Sequence, residues 1–295
     1  IVVGKKNEKG YSRAEVMVIA MTEKKRYEEV CTDQIWGVSV GEKGDDFETY
    51  LKKQIRSFMD ELKIMNLLAA DRGISLTSEE RAAMDRAAAE YFGRLPQSAI
   101  DSMGVTEADV QHIYEDYGLA EKLAGQLTDN VALEVSDSEA KVITIDQIVL
   151  SDGNTAQDVL NQVNEDGADF EAIAREYSED NEIQKQLGRG EARKALEDAA
   201  FSLTAGEISP GVGDNGMFYI IKCVSDYDED ATQARKDNLY QQRKKDAFGQ
   251  IYNQFKTENP VTFSNDIWDG IKFSIDDKTT TTNFFDLYRK HFPNS

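Results

Sequence analysis

VITIDQIVL, residues 142–150, is the stretch on which the fold turns. It is rich in β-branched residues and runs into Asp152-Gly153, a combination that reads as a strand followed by a turn. Downstream, helical patterns cover 155–164 and 169–177, and a loop holding Gly188 and Gly190 leads to a third helix near 192–203. Extended segments at 207–211 and 217–224 close the unit. Strand, helices and two further strands within one short stretch predict a small α+β domain with its own core.

Upstream of Ser136 the texture is helical. A first helix spans 12–31 with Ser12 as N-cap, and a longer one spans 46–71. In the latter Phe47, Leu51, Ile55, Phe58, Leu62 and Met65 repeat at three and four residues, the mark of one buried face. Gly73 stands where a left-handed residue ends a helix. Thr77 and Glu80 form a capping box for a helix running to about Arg94, and Pro96 restarts a short one. Thr106 opens another, carrying Val110, Ile113, Tyr117, Leu119 and Leu123. No fixed period recurs, which predicts a helical bundle and not a repeat array.

Beyond the acidic run at 226–230 a polar helix is expected over 232–256. Its apolar residues, Leu239, Tyr240, Ala247, Ile251 and Phe255, need a surface to pack on, and the helical N-terminal half offers one. The middle domain is then an insert with its ends close together. The last forty residues, with the run at 279–282 and a short amphipathic piece at 284–292, read as a loosely ordered extension. The expected layout is a helical domain at 1–138, the α+β domain at 139–228, the long helix at 229–258 and the extension at 259–295.

The 295 residues carry a formal charge of −21, which argues against a basic face for nucleic acid or an anionic membrane. No run of apolar residues is long enough to span a bilayer, so no direct membrane insertion is expected of this stretch. The chain opens Ile-Val-Val and reads as processed, with any leader outside view. Cys31 and Cys223 are too few for a disulfide framework, and each reads as a small buried hydrophobe. The two histidines, His112 and His291, lack the spaced partners of a zinc site or a Ser-His-Asp triad. Gly188-Arg189-Gly190 lacks the Lys-Ser/Thr of a phosphate loop, and the acidic runs lack calcium-loop spacing. Neither a metal nor a cofactor is expected.

Five segments in order, ITIDQIVL, GADFEAIAREYSED, GRGEARKALEDAAFSL, AGEISPGV and NGMFYIIKC, resemble the parvulin family of prolyl cis-trans isomerases. The flanking stretch DFETYLKKQIRSFMDELKIMNLLAADRGISLTSEER is similar to the N-terminal domain of extracytoplasmic foldases of the PrsA and SurA kind. The resemblance implies a small parvulin α+β domain inserted in a helical chaperone-like domain that a C-terminal helix completes. It places the family's acid or cysteine on Asp180. The first-strand histidine falls on Gln147, and the last-strand histidine on Tyr219, or on Phe218 in the other alignment. The apolar residues of the proline slot fall on Ala192, where Met is usual, and Leu196, where Phe is usual. Phe201 matches a core Phe.

An isomerase must lower a torsional barrier of about 18–20 kcal/mol and needs neither nucleophile nor metal. An apolar slot and preorganised dipoles suffice. Gln147 and Tyr219 are competent to hydrogen-bond each other beneath Asp180; the alternative is that all three only tie the sheet together. The expected function is an extracytoplasmic folding factor, secreted or lipid-anchored upstream. It would bind unfolded or partly folded polypeptides and proline-containing segments, with weak or lost isomerase activity. An active isomerase is the first alternative, and a scaffold lipoprotein gripping one partner is the second.

Overall fold

The computed structural model describes residues 6–264, 266–273 and 282–293. Two compact units divide the chain, Ile1–Val131 with Ala247–Ser295, and Ala132–Asp246. The second is thus inserted in the first.

The outer unit begins with strand β1 (Lys6–Glu8) and helix α1 (Arg13–Cys31), then a small hairpin of β2 (Ser39–Val40) and β3 (Asp45–Asp46). Helices α2 (Phe47–Asp71), α3 (Ser78–Gly93), α4 (Gln97–Met103) and α5 (Glu107–Thr128) follow. Their starts lie where the capping residues put them. Ser12 accepts from the Glu15 amide at 3.2 Å, and Asp46 from the Thr49 amide at 2.8 Å. Thr77 and Glu80 close a reciprocal capping box at 3.1 and 3.0 Å. Each such cap contributes about 1 kcal/mol. Along α2 the apolar stripe turns inward, with Leu51, Ile55 and Leu62 buried beside Trp36, Tyr91 and Tyr114. Helices α3 and α5 meet through small residues: Ala83, Ala87 and Ala88 are buried, and a Cβ on Gly118 would stand 2.8 Å from Met84 Sδ.

The inserted unit runs α6 (Asp137–Ala140), β4 (Val142–Leu150), α7 (Gly153–Val163), α8 (Phe170–Tyr177), β5 (Gln184–Gly188), α9 (Lys194–Phe201), β6 (Val212–Asp214) and β7 (Met217–Ser225). Its four strands lie in the order β5-β4-β7-β6, antiparallel throughout. β4 occupies the interior of this sheet, and for that reason its sequence is apolar on both faces. Ile148, Leu150 and Ile220 face α7 and α8, while Ile143, Ile145 and Ile221 face α9.

Two details depart from the sequence reading. The stretch taken as loop before Gly188 is the edge strand β5, whose Gln-Lys-Gln start lacks β-branched residues. The extended segment expected at 207–211 contributes one bridge, Ile208 to Lys222, and the strand proper is β6. Pro210 has no N–H to give a ladder. The β6–β7 turn is Asn215-Gly216, both at positive φ (51° and 78°), which fits a two-residue hairpin loop.

Helix α10 (Glu229–Glu258) leaves the inserted unit, where the Thr232 hydroxyl accepts the Val142 amide at 3.0 Å. Leu239 and Tyr240 belong to this inserted part and not to the outer unit; Tyr240 is exposed. From Ala247 onward the helix belongs to the outer unit, and Ile251 and Phe255 pack on Leu68, Ala69 and Leu123. Strand β8 (Val261–Phe263) then pairs in parallel with β1, and α11 (Phe284–His291) ends the described chain.

The reading of 259–295 as a loose extension is corrected here. Trp268, Ile271, Phe273, Phe284, Leu287 and Tyr288 are all core residues of the outer unit. Of the expected threonine run, residues 279–281 lie outside the described residues. A second correction concerns the cysteines: Cys223 is buried as expected, but Cys31, at the end of α1, is exposed.

Candidate functional site

The α9 face of the inserted sheet gathers most of the residues singled out in the sequence. Side chains alternate along a strand, so Gln147 shares the face of Ile143 and Ile145 on β4. Tyr219 on β7 packs against the same cluster, as do Ala192, just before α9, and Leu196 in its first turn. The floor is apolar, built from Ile145, Ile221, Leu187 and Ala200. Phe201 also packs there, with the Arg189 guanidinium 4.4 Å over its ring.

Phe218 does not belong to this site. It pairs with Leu150 across the sheet, packs on the α7 and α8 face, and lies 3.3 Å from where a Cβ on Gly153 would be. The two-residue period of β7 leaves one of Phe218 and Tyr219 on each face, and Tyr219 has the α9 side.

The expected hydrogen bond between Gln147 and Tyr219 is not formed among the described residues. Gln147 pairs with Ile221 across the sheet and Tyr219 with Val149, which sets the two side chains diagonally apart. Gln147 is 3% exposed, and its Nε2 donates to the Glu182 carbonyl at 2.9 Å. Only the nitrogen end of the amide can donate to a carbonyl, so its orientation is set by that contact.

Asp180 stands exposed in the loop between α8 and β5. Its Oδ1 accepts the Glu182 amide at 2.9 Å, and its own amide reaches Ser178 Oγ at 3.3 Å. The carboxylate therefore closes a local turn, and that turn presents the carbonyl which Gln147 binds. Gln147 and Asp180 are joined through Glu182 and not directly.

Reading the Tyr-Ser-Glu-Asp run for its aspartate missed two neighbours. Ser178 Oγ accepts the Val149 amide at 3.1 Å, and the Glu179 amide donates to the Val149 carbonyl at 2.8 Å. The Glu179 carboxylate accepts from Ser151 Oγ at 2.8 Å and from the Ser151 amide. Together they sew the loop to β4 beyond the end of β5. A short hydroxyl and a carboxylate beside a strand end were the visible signal.

The loop entering α9 is equally well tied. Gly188 donates its amide to Glu191 at 2.8 Å, and Gly190 donates to Glu197 at 2.8 Å. Arg193, at the N-cap of α9, pairs with Asp214 of β6 at 3.0 Å. The result is an apolar cluster on the α9 face of the sheet, with the buried Gln147 amide and the half-buried Tyr219 beside it. Among the described residues no group of three or more His, Cys, Asp or Glu side chains is placed to hold a metal, and no helix is long and apolar enough to cross a membrane.

The outer unit has a separate groove of about 280 Å³ between α1 and α2. Tyr27, Tyr50, Phe58 and Phe285 line it around Leu51 and Ile55. At its rim burial lifts the Glu23 carboxyl above its ordinary range, opposed by Arg26.

Residues 152–225 match the rotamase family, the PPIC-type PPIase domain, a span that holds every element of the inserted sheet except β4. Foldase protein PrsA 3 of Bacillus cereus is 26% identical over 247 residues, 75% of this chain and 84% of its own. Foldase protein PrsA 4 of the same species is 31% identical over 124 residues, 38% of this chain and 44% of its own. The crystal structure of peptidylprolyl isomerase (PrsA) from Bacillus cereus aligns with 87% of this chain and 98% of that chain, at 21% identity and a TM-score of 0.41. The inserted unit is a PPIC-type parvulin rotamase domain, and the chain that carries it is PrsA-like.

Proposed function

We propose that this protein is a folding factor that binds non-native polypeptides, and that its parvulin unit grips proline-containing segments with little or no turnover. The observation that carries the second half is the Gln147 amide, held on the Glu182 carbonyl. In the twisted transition state the imide nitrogen becomes basic, and catalysis gains from a donor aimed at it. Gln147 has one of its two amide N–H groups committed to the Asp180 loop and a side chain only 3% exposed, and Tyr219 sits diagonally from it. The resemblance puts the proline slot at Ala192 and Leu196, which pack on the apolar cluster of the α9 face and are smaller than the Met and Phe usual there.

Binding of clients is supported by the foldase relatives and by the aromatic groove of the outer unit. Tyr50, 45% exposed at that groove, gives apolar and hydroxyl surface together, a combination suited to varied partners. The net charge of −21 favours basic or neutral clients. We place the protein outside the cytoplasm, secreted or held by a lipid anchor upstream of Ile1, on its resemblance to extracytoplasmic foldases.

Two assays on the full chain test this. In a proline-limited refolding reaction little acceleration is expected, whereas aggregation of a denatured client should be suppressed at stoichiometric ratios. Strong acceleration that disappears on Asp180→Ala would replace this reading with an active isomerase.

A further inference from the structure

The loop that opens α9 is held from outside the segment that matches the rotamase family. Arg235, on α10, reaches back over Gly188. Its Nη1 donates to Glu191 at 2.5 Å, and its Nη2 donates to the Arg189 carbonyl. The approach is so close that a Cβ on Gly188 would stand 1.8 Å from Nη1 and 2.6 Å from Cζ. Glu191 in turn binds the Gly188 amide, so guanidinium, carboxylate and backbone form one closed set. The next residue, Ala192, and Leu196 one turn on, are the apolar residues of the slot.

We infer that Arg235 is a positioning residue for the proline slot, fixing the loop 188–191 and with it the placement of Ala192 and Leu196. The inference rests on the slot reading given above. A planar guanidinium is needed because two different acceptors are met at once, one by each terminal nitrogen; an ammonium offers a point charge without that fork. Gly188 is the matching half of the device, since any larger residue would push the guanidinium out.

The test uses the full chain and a blocked Ala-Leu-Pro-Phe tetrapeptide as probe. Hydrogen exchange of the Gly188 and Gly190 amides, peptide affinity and thermal unfolding are measured for wild type, Arg235→Ala, Arg235→Lys and Gly188→Ala. Loss of a charge-assisted pair predicts exchange about tenfold faster in the loop and a Kd about tenfold weaker in Arg235→Ala. Arg235→Lys is expected to restore only part of this. Gly188→Ala, which keeps both charges and dislodges the guanidinium, should behave like Arg235→Ala even if that variant proves less stable. Wild-type affinity retained in both Arg235→Ala and Gly188→Ala overturns the inference alone, as does weakened binding with unchanged loop exchange. Failure of the wild type to bind the peptide overturns the slot reading, and this inference with it.

Discussion

Replacing Phe284 by alanine tests the role of the C-terminal residues most directly. The ring is fully buried, stacked on Tyr114 with centroids 4.0 Å apart and planes 18° apart, and edge-on to Tyr117 at 5.6 Å. The backbone bonds at this position, from the Phe284 amide to Thr22 at 3.2 Å and from the Tyr114 hydroxyl to the Phe284 carbonyl at 2.8 Å, survive the change. The cost is therefore that of the ring, about 3–5 kcal/mol for an aromatic removed from a packed core. A whole domain is stabilised by about 5–15 kcal/mol, so this is a large share. At about 2–4 °C per kcal/mol, the melting transition of the outer unit should fall by about 12 °C. Differential scanning calorimetry of the full chain can follow both units, and the transition of the inserted unit should stay in place. Val30→Ala, at a site 82% exposed, is the control and should change stability by less than about 0.5 kcal/mol. A Phe284→Ala shift no larger than that of the control would refute the assignment of α11 to the core.

Two further outcomes are expected. His112 on α5 meets Glu15 of α1 at 2.8 Å and Asp116 at 3.6 Å; the Glu15 hydrogen bond raises its pKa above 6.5, with burial and Lys63 opposing. A raised histidine contributes stability that is fully present below about pH 6.5 and is lost as pH rises through its folded pKa. Melting temperatures between pH 5 and 9 should show that decline for the wild type and lose it in His112→Gln; identical profiles would remove the pair from the account. Gly118→Val drives a branched side chain into Met84 at the α3–α5 contact and should cost about 1–3 kcal/mol in urea unfolding, and a neutral result would mean the two helices can separate freely.

Much of the architecture is legible in local sequence signals. Ser12, Asp46, Thr77 and Thr106 start their helices because each carries an oxygen that reaches the orphan amides of its own first turn. VITIDQIVL reads as a buried strand because β-branched residues suit the pleat and both of its faces are covered. The caps predicted the helical domain, this strand and the segments after it the α+β domain, the apolar residues of the 232–256 helix the insertion, and five ordered segments carried the resemblance to parvulins.

What tertiary structure alone decided are the long-range placements. No local pattern says that Phe284 would stack on Tyr114, since a short amphipathic helix near a chain end has the same sequence whether docked or loose. Nor does the order of Phe218 and Tyr219 say which one faces α9; strand register across β4 settles it, because a shift by one residue exchanges the two faces. The Gln147 amide is bound by a carbonyl 35 positions away, and Gly188 is crowded by an arginine from helix α10. Such contacts depend on loops closing over one another, and short-range propensity does not encode that. VITIDQIVL thus determined by itself that a buried strand exists, and the fold decided which of its residues face α9 and which face α7 and α8.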